Sequence, residues 1–374
     1  METAIERVAR RRACAESGDV QAQLNMGDLY RTGKVPGQEE EPSGVLPDLA
    51  ASAEWYRRAA EQGNAGAQAR LGECCRYGKG VPVNLVEAAV CFLKSARQGH
   101  PGGEYKFGLC LSLGIGVTQN PEKAVVFFRR SAAQGNTDAF VSLGDAYHTG
   151  EGVTRDPVQA AAWFRRGAEE GNPTAQLSLA RCYCNDEGVT RDINQAVEWA
   201  HKAAATALGA TWEVSSRAQF MLGRLCAMGE GVVQDLFRAA RWYHKAARQG
   251  CAESQWQFGE ILRIGELIGV DRLTKRGRMR GARKYIARAA VQGHAQAIER
   301  AIEMRRCHCC GAGDASRFCE LCLVARYCGP ECQRKHWNGR GGGGGDGGGG
   351  AEHEAHKRTC GRTHTHLSSI TSGG

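Results

Sequence analysis

The sequence predicts an all-α fold, a right-handed α-solenoid of helix-turn-helix repeats followed by a small cysteine-rich module. Two observations carry this prediction. Sequence motifs recur at a step of about 36 residues along most of the 374-residue chain, which is typical of stacked helical repeats. Eight of the 17 cysteines lie beyond residue 306 in closely spaced pairs, which indicates metal ligands.

Three columns of residues define the repeat. Glycines that follow a bulky apolar residue recur at steps of 36 residues, with one step of 43. They are Gly72, Gly108, Gly144, Gly223 and Gly259, with Ala180 in the same column. A Gly-x-Gly-Val turn recurs at Gly78, Gly114, Gly150 and Gly229, with a partial copy at Gly188-Val189. A largely aromatic column consists of Trp55, Cys91, Phe127, Trp163, Trp199, Trp242 and Tyr285, and it precedes a column of alanines by five residues.

Each unit is predicted to contain two helices, of about twelve and about fourteen residues. Glycine in the turn permits a positive φ and ends the first helix. The alanines allow neighbouring helices to approach closely, and we expect the aromatic column to fill the space between layers. Because neither helix can bury its apolar stripe alone, the units must stack.

This pattern resembles the Sel-one-like repeats, which are relatives of the tetratricopeptide repeat. The resemblance divides residues 19–304 into seven repeats and a closing half-repeat, preceded by a capping helix in residues 1–18. Three stretches exceed the repeat length, and we expect them to be additions in turns between helices. They are residues 37–46, 209–214 and 271–281.

Two columns on the first helices vary freely between units, as surface columns do. The first is Asp28, Glu73, Leu109, Asp145, Arg181, Arg224 and Glu260, and the second is Arg31, Arg76, Ser112, His148, Cys184, Ala227 and Arg263. First helices usually line the concave side of a solenoid, where a partner segment can lie. We predict a partner-binding surface there, with a plain solvated face as the alternative.

The cysteines of the repeat region lie mostly in core columns, so we expect small buried apolar side chains there. They do not recur in regular pairs, which argues against a disulfide within each unit. Cys14, Cys184 and Cys251 have no assigned role.

The C-terminal ligands come in four pairs at metal-binding spacing. They are Cys307-x-x-Cys310, Cys319-x-x-Cys322, Cys328-x-x-x-Cys332 and His356-x-x-x-Cys360. Eight soft ligands suffice for two tetrahedral zinc ions. With all four positions filled by protein, each ion would be structural and would leave no site for a reactive water.

The order of six cysteines followed by His and Cys, with Cys332-Gln333-x-x-x-Trp337 among them, resembles the MYND zinc finger. The resemblance implies a finger over residues 305–362 and interleaved sites. Cys307, Cys310, Cys328 and Cys332 would hold one zinc ion, and Cys319, Cys322, His356 and Cys360 the other.

MYND fingers bind short proline-rich peptides of the PxLxP kind, and the resemblance assigns peptide contact to Gln333 and Trp337, with Glu320 beside them. Glu320 departs from the small hydroxyl residue of peptide-binding members. A glycine-rich insertion, residues 338–355, separates Trp337 from His356, so His353 and His336 remain alternative ligands. Residues 363–374 are expected to be a disordered tail.

These features predict a non-catalytic adaptor whose solenoid binds one protein and whose finger binds a proline-containing peptide. Neither a phosphate-binding loop, nor HExxH, nor a nucleophile elbow occurs in the sequence, so we expect neither an enzyme nor a small-molecule substrate. One alternative is a substrate-recruiting subunit of a ubiquitin ligase.

A nucleic-acid-associated regulator is the other alternative. It would use Arg305-Arg306, Lys357-Arg358 and the basic stretch from Arg272 to Arg283. The formal charge of +9 falls to about +6 once thiolates and zinc are counted. We expect this charge to be spread over the chain, which disfavours nucleic acid.

The start of the chain has no apolar secretory core, and no run of about twenty apolar residues occurs. We therefore expect no membrane partner and a cytoplasmic or nuclear location.

Overall fold

The computed structural model describes residues 4–35, 38–42, 45–206, 212–229, 233–264, 275–305, 317–318 and 326–327. These residues contain sixteen α-helices and four short strands. The chain divides into two compact units, residues 1–199 and 200–374, and the division falls within one helix.

The helices that begin in the first unit follow one another in chain order. They are α1 (Ala4–Glu16), α2 (Val20–Thr32), α3 (Leu49–Glu61), α4 (Ala65–Tyr77), α5 (Leu85–Arg97), α6 (Pro101–Leu113), α7 (Pro121–Ala133), α8 (Thr137–Thr149), α9 (Pro157–Glu169), α10 (Pro173–Asn185) and α11 (Ile193–Thr206), the last of which extends into the second unit. The strands β1 (Lys34–Val35) and β2 (Gln38–Pro42) pair antiparallel between α2 and α3.

The second unit continues the same alternation. Its helices are α12 (Trp212–Met228), α13 (Leu236–Arg248), α14 (Ala252–Ile264), α15 (Lys275–Val291) and α16 (Ala295–Arg305). Two strands follow, β3 (Arg317–Phe318) and β4 (Arg326–Tyr327), paired antiparallel with Arg317 opposite Tyr327. Even-numbered helices from α2 to α14 are the first helices of the repeats, and odd-numbered helices from α3 to α15 are the second helices.

Local sequence begins and ends these helices, as α4 illustrates. The side chain of Asn64 accepts a 2.8 Å hydrogen bond from the Ala67 amide at the start of the helix, which satisfies an otherwise free donor. At the other end Gly78 is left-handed, with φ +67°, and its amide donates to the Cys74 carbonyl. Residues with side chains pay a steric cost in this conformation, so the predicted glycine turn is confirmed.

The second glycine of the turn is required by a close approach to the preceding repeat. Gly80 also has a positive φ, +77°, and a Cβ there would lie 1.9 Å from the Leu49 carbonyl oxygen at the start of α3. Gly116 and Gly152 meet the first residues of α5 and α7 in the same way. The turn therefore packs its own backbone on the neighbouring helix.

A glycine of five first helices packs on a ring of the following second helix, whereas α10 has Ala180 in this column and Gly259 of α14 packs on Ile286. A Cβ on Gly72 would lie 2.6 Å from Phe92, and one on Gly144 would lie 2.3 Å from Phe164. The rings involved are almost completely buried; they are Tyr56, Phe92, Phe128, Phe164 and Tyr243. Absence of a side chain on the glycine lets the ring sit against the helix backbone.

The aromatic column predicted to fill the core lies one residue before these rings and is only partly buried. Phe127, Trp163 and Trp242 are half-buried, although Trp55 and Tyr285 are buried. A helix turns by about 100° per residue, so adjacent positions cannot both point at the glycine of the neighbouring helix. The prediction of a buried aromatic layer is correct, but its main column is the next one.

Buried glutamines connect successive helices through side-chain hydrogen bonds. Gln98 donates to the amide oxygen of Gln68 at 2.8 Å, and Gln68 donates to the Ala60 carbonyl of the preceding repeat at 3.2 Å. The same glutamine pair recurs as Gln62–Gln23, Gln249–Gln219 and Gln292–Gln255, each at 2.8 Å. Buried amides must be paired, so these bonds fix the register of one helix on the next.

Parts of two of the three long stretches are helical where we expected turns, namely residues 212–214 and 275–281. Both α12 and α15 have 17 residues instead of the usual 13, and α15 includes residues 275–281 of the predicted addition. The arginines, lysine and methionine of this segment favour helix, so the extra residues lengthen the helix at its start. None of the helices that the structure describes is both long and apolar enough to cross a membrane.

Candidate functional site

The surface of the first helices carries the two variable columns identified in the sequence. No member of either column is buried, as expected for positions that vary between repeats. This surface is most clearly formed in the first unit, by α2, α4, α6 and the start of α8.

Charged side chains connect three first helices across this surface. Asp28 accepts a 2.7 Å hydrogen bond from the hydroxyl of Tyr56 and lies 3.9 Å from the Arg70 guanidinium. Arg70 also lies 3.7 Å from Glu73, and Glu73 forms a 2.7 Å ion pair with Lys106. Alternating charges thus run from α2 through α4 to α6. Because each is partly exposed, we expect them to set partner specificity more than stability.

A groove of about 380 Å³ opens among these side chains. Its lining includes Leu24 and Tyr105 beside the charged groups, and it extends to Asn136 and Asp138 at the start of α8. Burial, followed by the hydrogen bond to Asp28, raises the pKa of Tyr56 to about 12, so this phenol remains a hydrogen-bond donor at neutral pH. A lining that combines apolar side chains with charges of both signs suits a peptide segment.

His100 lies at the edge of the groove and begins α6. Its Nδ1 accepts a hydrogen bond from the Gly103 amide at 3.1 Å, a role that requires the neutral imidazole. Burial, with the nearby Arg70 charge, lowers the pKa of His100. The ring is therefore kept in the neutral form that caps the helix.

No disulfide joins the cysteines of the repeats within the part of the chain that the structure describes. Burial raises the pKa of Cys74, Cys75 and Cys182 to about 11, which suppresses thiolate formation and reactivity. Cys91 and Cys110 are also buried, as predicted, whereas Cys14 is exposed. Among the residues that the structure describes, no cluster of three or more His, Cys, Asp or Glu has metal-binding geometry.

All eight predicted zinc ligands lie outside the described residues, as do Gln333, Trp337 and Glu320. The described strands bracket part of the series: β3 ends one residue before Cys319, and β4 ends one residue before Cys328. An antiparallel hairpin that delivers ligands at its ends is compatible with a small zinc module. The donor set of thiolates and imidazole also fits zinc.

Comparison with known families identifies the repeat. The model of the Sel1 repeat matches six segments, residues 20–64, 65–100, 101–136, 141–172, 173–205 and 216–251. The chain belongs to the Sel1 repeat family. Each Sel1 segment contains one first helix and one second helix, from α2–α3 to α12–α13, and α14 with α15 forms a further pair beyond the matched segments.

Solved Sel1 structures share the fold. A Sel1 repeat protein from Oxalobacter formigenes is 32% identical, with a TM-score of 0.59 and 78% of each chain covered. A protective antigen of uropathogenic Escherichia coli with an SLR fold is 29% identical, with a TM-score of 0.61 over 80% of this chain. This chain spans 60% of the length of that antigen. The predicted helical solenoid is confirmed. Comparison with curated protein sequences gave no match.

The C-terminal module matches the MYND finger over residues 307–340, so the predicted finger family is also confirmed. This segment contains the first six cysteines of the ligand series and implies zinc binding. His356 and Cys360 lie beyond it. Sel1 repeats and MYND fingers are both protein-interaction modules.

Sequence reasoning missed two features of the surface. The ion pairs from Asp28 to Lys106 join positions 78 residues apart, and only the stacking of helices brings them together. The expectation that the positive charge is spread over the chain is wrong: α13 and α15, the second of which includes most of the basic stretch noted in the sequence, together contain eleven Lys and Arg residues and no acid, which exceeds the net +9 of the whole chain. A charge count for each predicted helix could have found this second feature.

Proposed function

We propose that the chain is a non-catalytic adaptor in which the Sel1 repeats bind one protein partner and the MYND finger binds a short proline-containing peptide. The observation that carries this proposal is the presence of two protein-interaction modules in one chain. The grooved, charged surface of the first helices supports the first half of it.

The junction between the modules supports a joint function. Helix α16 packs its buried Ala297 in one cluster with Tyr285 and Ala289 of α15. It ends at Arg305, two residues before Cys307. A short connection raises the effective concentration of one bound partner near the other, which is what an adaptor requires.

For the finger, we propose two structural zinc ions in the interleaved arrangement, with Gln333, Trp337 and Glu320 at the peptide. An aromatic side chain such as Trp337 is a typical anchor for a proline-rich segment. The glycine-rich insertion lengthens the loop before His356. Loop-closure entropy grows only with the logarithm of length, by about 0.6 kcal/mol per doubling, and zinc binding can offset this cost.

The peptide half is tested with the zinc-loaded full chain and a fluorescent PxLxP peptide. We expect saturable binding that is lost in Trp337→Ala and absent for the peptide with both prolines changed to alanine. Binding that survives Trp337→Ala would refute the assignment of the finger surface.

The adaptor itself is tested by affinity purification of the full chain with two variants. Trp337→Ala should lose one set of partners, and Arg70→Glu with Lys106→Glu in the first-helix groove should lose a different set. Loss of the same set in both variants, or no loss in either, would contradict an adaptor with two separate surfaces.

A further inference from the structure

The positive charge of the second unit is concentrated on two second helices. Helix α13 carries four basic residues and α15 carries seven, and neither contains Asp or Glu. Every other second helix, as well as the capping helix α1, contains at least one glutamate within its bounds. The imbalance is therefore a property of these two helices and not of the repeat.

The basic side chains of this surface are exposed and lack acidic partners. We call the set Arg241, Lys245, Arg248, Arg280, Lys284 and Arg288 the basic face; all six are exposed. None of them forms an ion pair within the part of the chain that the structure describes. The acidic groups of α14 and of the α13 cap are already engaged, since Asp235 pairs with Arg238, Glu253 with His294, and Glu260 with Arg263.

Aromatic rings lie beside the charged ends of two of these side chains. The Lys245 ammonium lies 4.3 Å from the centre of the Trp242 ring, and the Arg241 guanidinium lies 5.9 Å from the Phe237 ring. Such contacts reduce the conformational freedom of a long side chain while its charge stays in water. The basic face is thus partly ordered before anything binds.

A shallow groove runs between the two helices. It has a volume of about 480 Å³, and Arg248 of α13 and Arg288 of α15 both line it. Its remaining lining is largely apolar and includes Ala247, Ala287 and Val291. Val291 is 88% exposed, so its side chain is accessible to a bound segment.

We infer that this groove and the basic face bind an acidic peptide segment that also carries apolar side chains, such as an amphipathic acidic helix. Carboxylates of the segment would pair with the arginines on either side, and an apolar side chain would cover Val291 and the alanines. This inference rests on the proposed function, in which the repeats bind protein, and it names the chemistry of a segment bound on helices other than those of the first-helix groove.

The apolar lining favours a peptide over nucleic acid. A phosphate backbone needs cations and gains nothing from covering a valine and two alanines, whereas helix-in-groove recognition of peptides uses an apolar seam bordered by charges. Duplex RNA is therefore the comparison ligand in the test.

The chain provides a matched control, because Lys94 and Arg97 of α5 occupy the repeat positions of Lys245 and Arg248. They are the same residue types, and they are also exposed near the end of a second helix. Lys245→Glu with Arg248→Glu and Lys94→Glu with Arg97→Glu thus make the same change in net charge, at equivalent places. Val291→Ser tests the apolar lining, with the exposed Val158→Ser as its control.

Binding is measured by fluorescence anisotropy on the full chain with three probes: a helical peptide of Glu and Leu, a Glu and Ser peptide of equal charge, and a short random RNA duplex. We expect the Glu and Leu peptide to bind most tightly. Lys245→Glu with Arg248→Glu should weaken it about tenfold or more, and the α5 pair should change it less than about twofold. Val291→Ser should weaken the Glu and Leu peptide alone, by about threefold.

Three outcomes would overturn the inference: equal weakening by the α5 pair, which would mean that net charge alone is sensed; tighter binding of the RNA duplex; or no binding of the Glu and Leu peptide. In each case retention of cellular partners by the full chain would still support the adaptor, because that function does not depend on this surface. Circular dichroism of each variant establishes that the helices are intact.

Discussion

The side-chain amide of Gln134 donates a 2.8 Å hydrogen bond to the carboxylate of Glu104, at a position where four other helix pairs join two glutamines. Glu104 is buried, and burial raises its pKa. A carboxylate accepts the bond from Gln134 as well as an amide does. It cannot donate to the carbonyl of the preceding repeat as Gln68 does. The third repeat therefore lacks the hydrogen bond that corresponds to the one from Gln68 to Ala60.

Glu104→Gln should therefore stabilise the protein. The new amide can donate to the Ala96 carbonyl, and no buried charge remains, so we expect a gain of about 1 kcal/mol in the free energy of unfolding at neutral pH. Urea denaturation, with hydrogen exchange of α6 and α7 to localise the effect, would measure it. Gln68→Glu makes the reverse change at the equivalent position and should destabilise by about 1–3 kcal/mol.

The pH dependence of this pair follows from the raised pKa of Glu104. A group that binds its proton more tightly when folded contributes stability below its ordinary pKa, and this contribution is lost as pH rises through the folded value. The advantage of Glu104→Gln over the native chain should therefore grow from pH 4 to pH 7. An advantage that is constant with pH would show that Glu104 does not titrate differently in the folded state.

The packing of Gly144 on Phe164 predicts strong coupling between the two positions. Gly144→Ala should destabilise by about 1–3 kcal/mol because its Cβ would overlap the ring, and Phe164→Ala by about 3–5 kcal/mol. Since the overlap disappears with the ring, the double variant should cost less than the two single changes together. Additive costs in a double-mutant cycle would refute the packing argument.

Alanine substitution at two turn glycines distinguishes the free-energy cost of a left-handed backbone from the cost of a steric clash. Gly99 and Gly116 have φ of +73° and +67°, but a Cβ on Gly99 meets open space and one on Gly116 would lie 2.0 Å from the Leu85 carbonyl oxygen. Gly99→Ala should cost about 1–2 kcal/mol in left-handed strain, and Gly116→Ala at least about 3 kcal/mol. Thermal unfolding of both variants would test this, and equal shifts would contradict the close approach.

The sequence predicted the repeat period, the helix pairs and the glycine turns, because each depends on local composition. It did not predict which of two adjacent aromatic columns is buried, since that depends on the rotation of one helix against the next. The helical start of α15 was missed because its length suggested a loop, while its residues favour helix. Because this segment was taken for a loop, its basic residues were counted with those of the whole chain and were not assigned to one helix face.

Zinc stoichiometry tests the ligand assignment, which remains a prediction. Native mass spectrometry of the full chain should show two zinc ions, and Cys310→Ser or Cys360→Ser should remove at least one of them. Cys309→Ser is the neighbouring control and should retain both. If His356→Ala keeps two ions while His353→Ala loses one, the second site uses His353 instead of His356.

The Gly144–Phe164 packing also restricts the order in which repeats can diverge. In the fifth repeat both columns hold alanine, at Ala180 and Ala200, so a version with neither glycine nor ring is tolerated within this chain. A methyl group added first would collide with the ring, whereas loss of the ring first leaves a cavity that the methyl group then partly fills. Substitution in these two columns is thus directional: the aromatic ring must be lost before the glycine can be replaced by alanine.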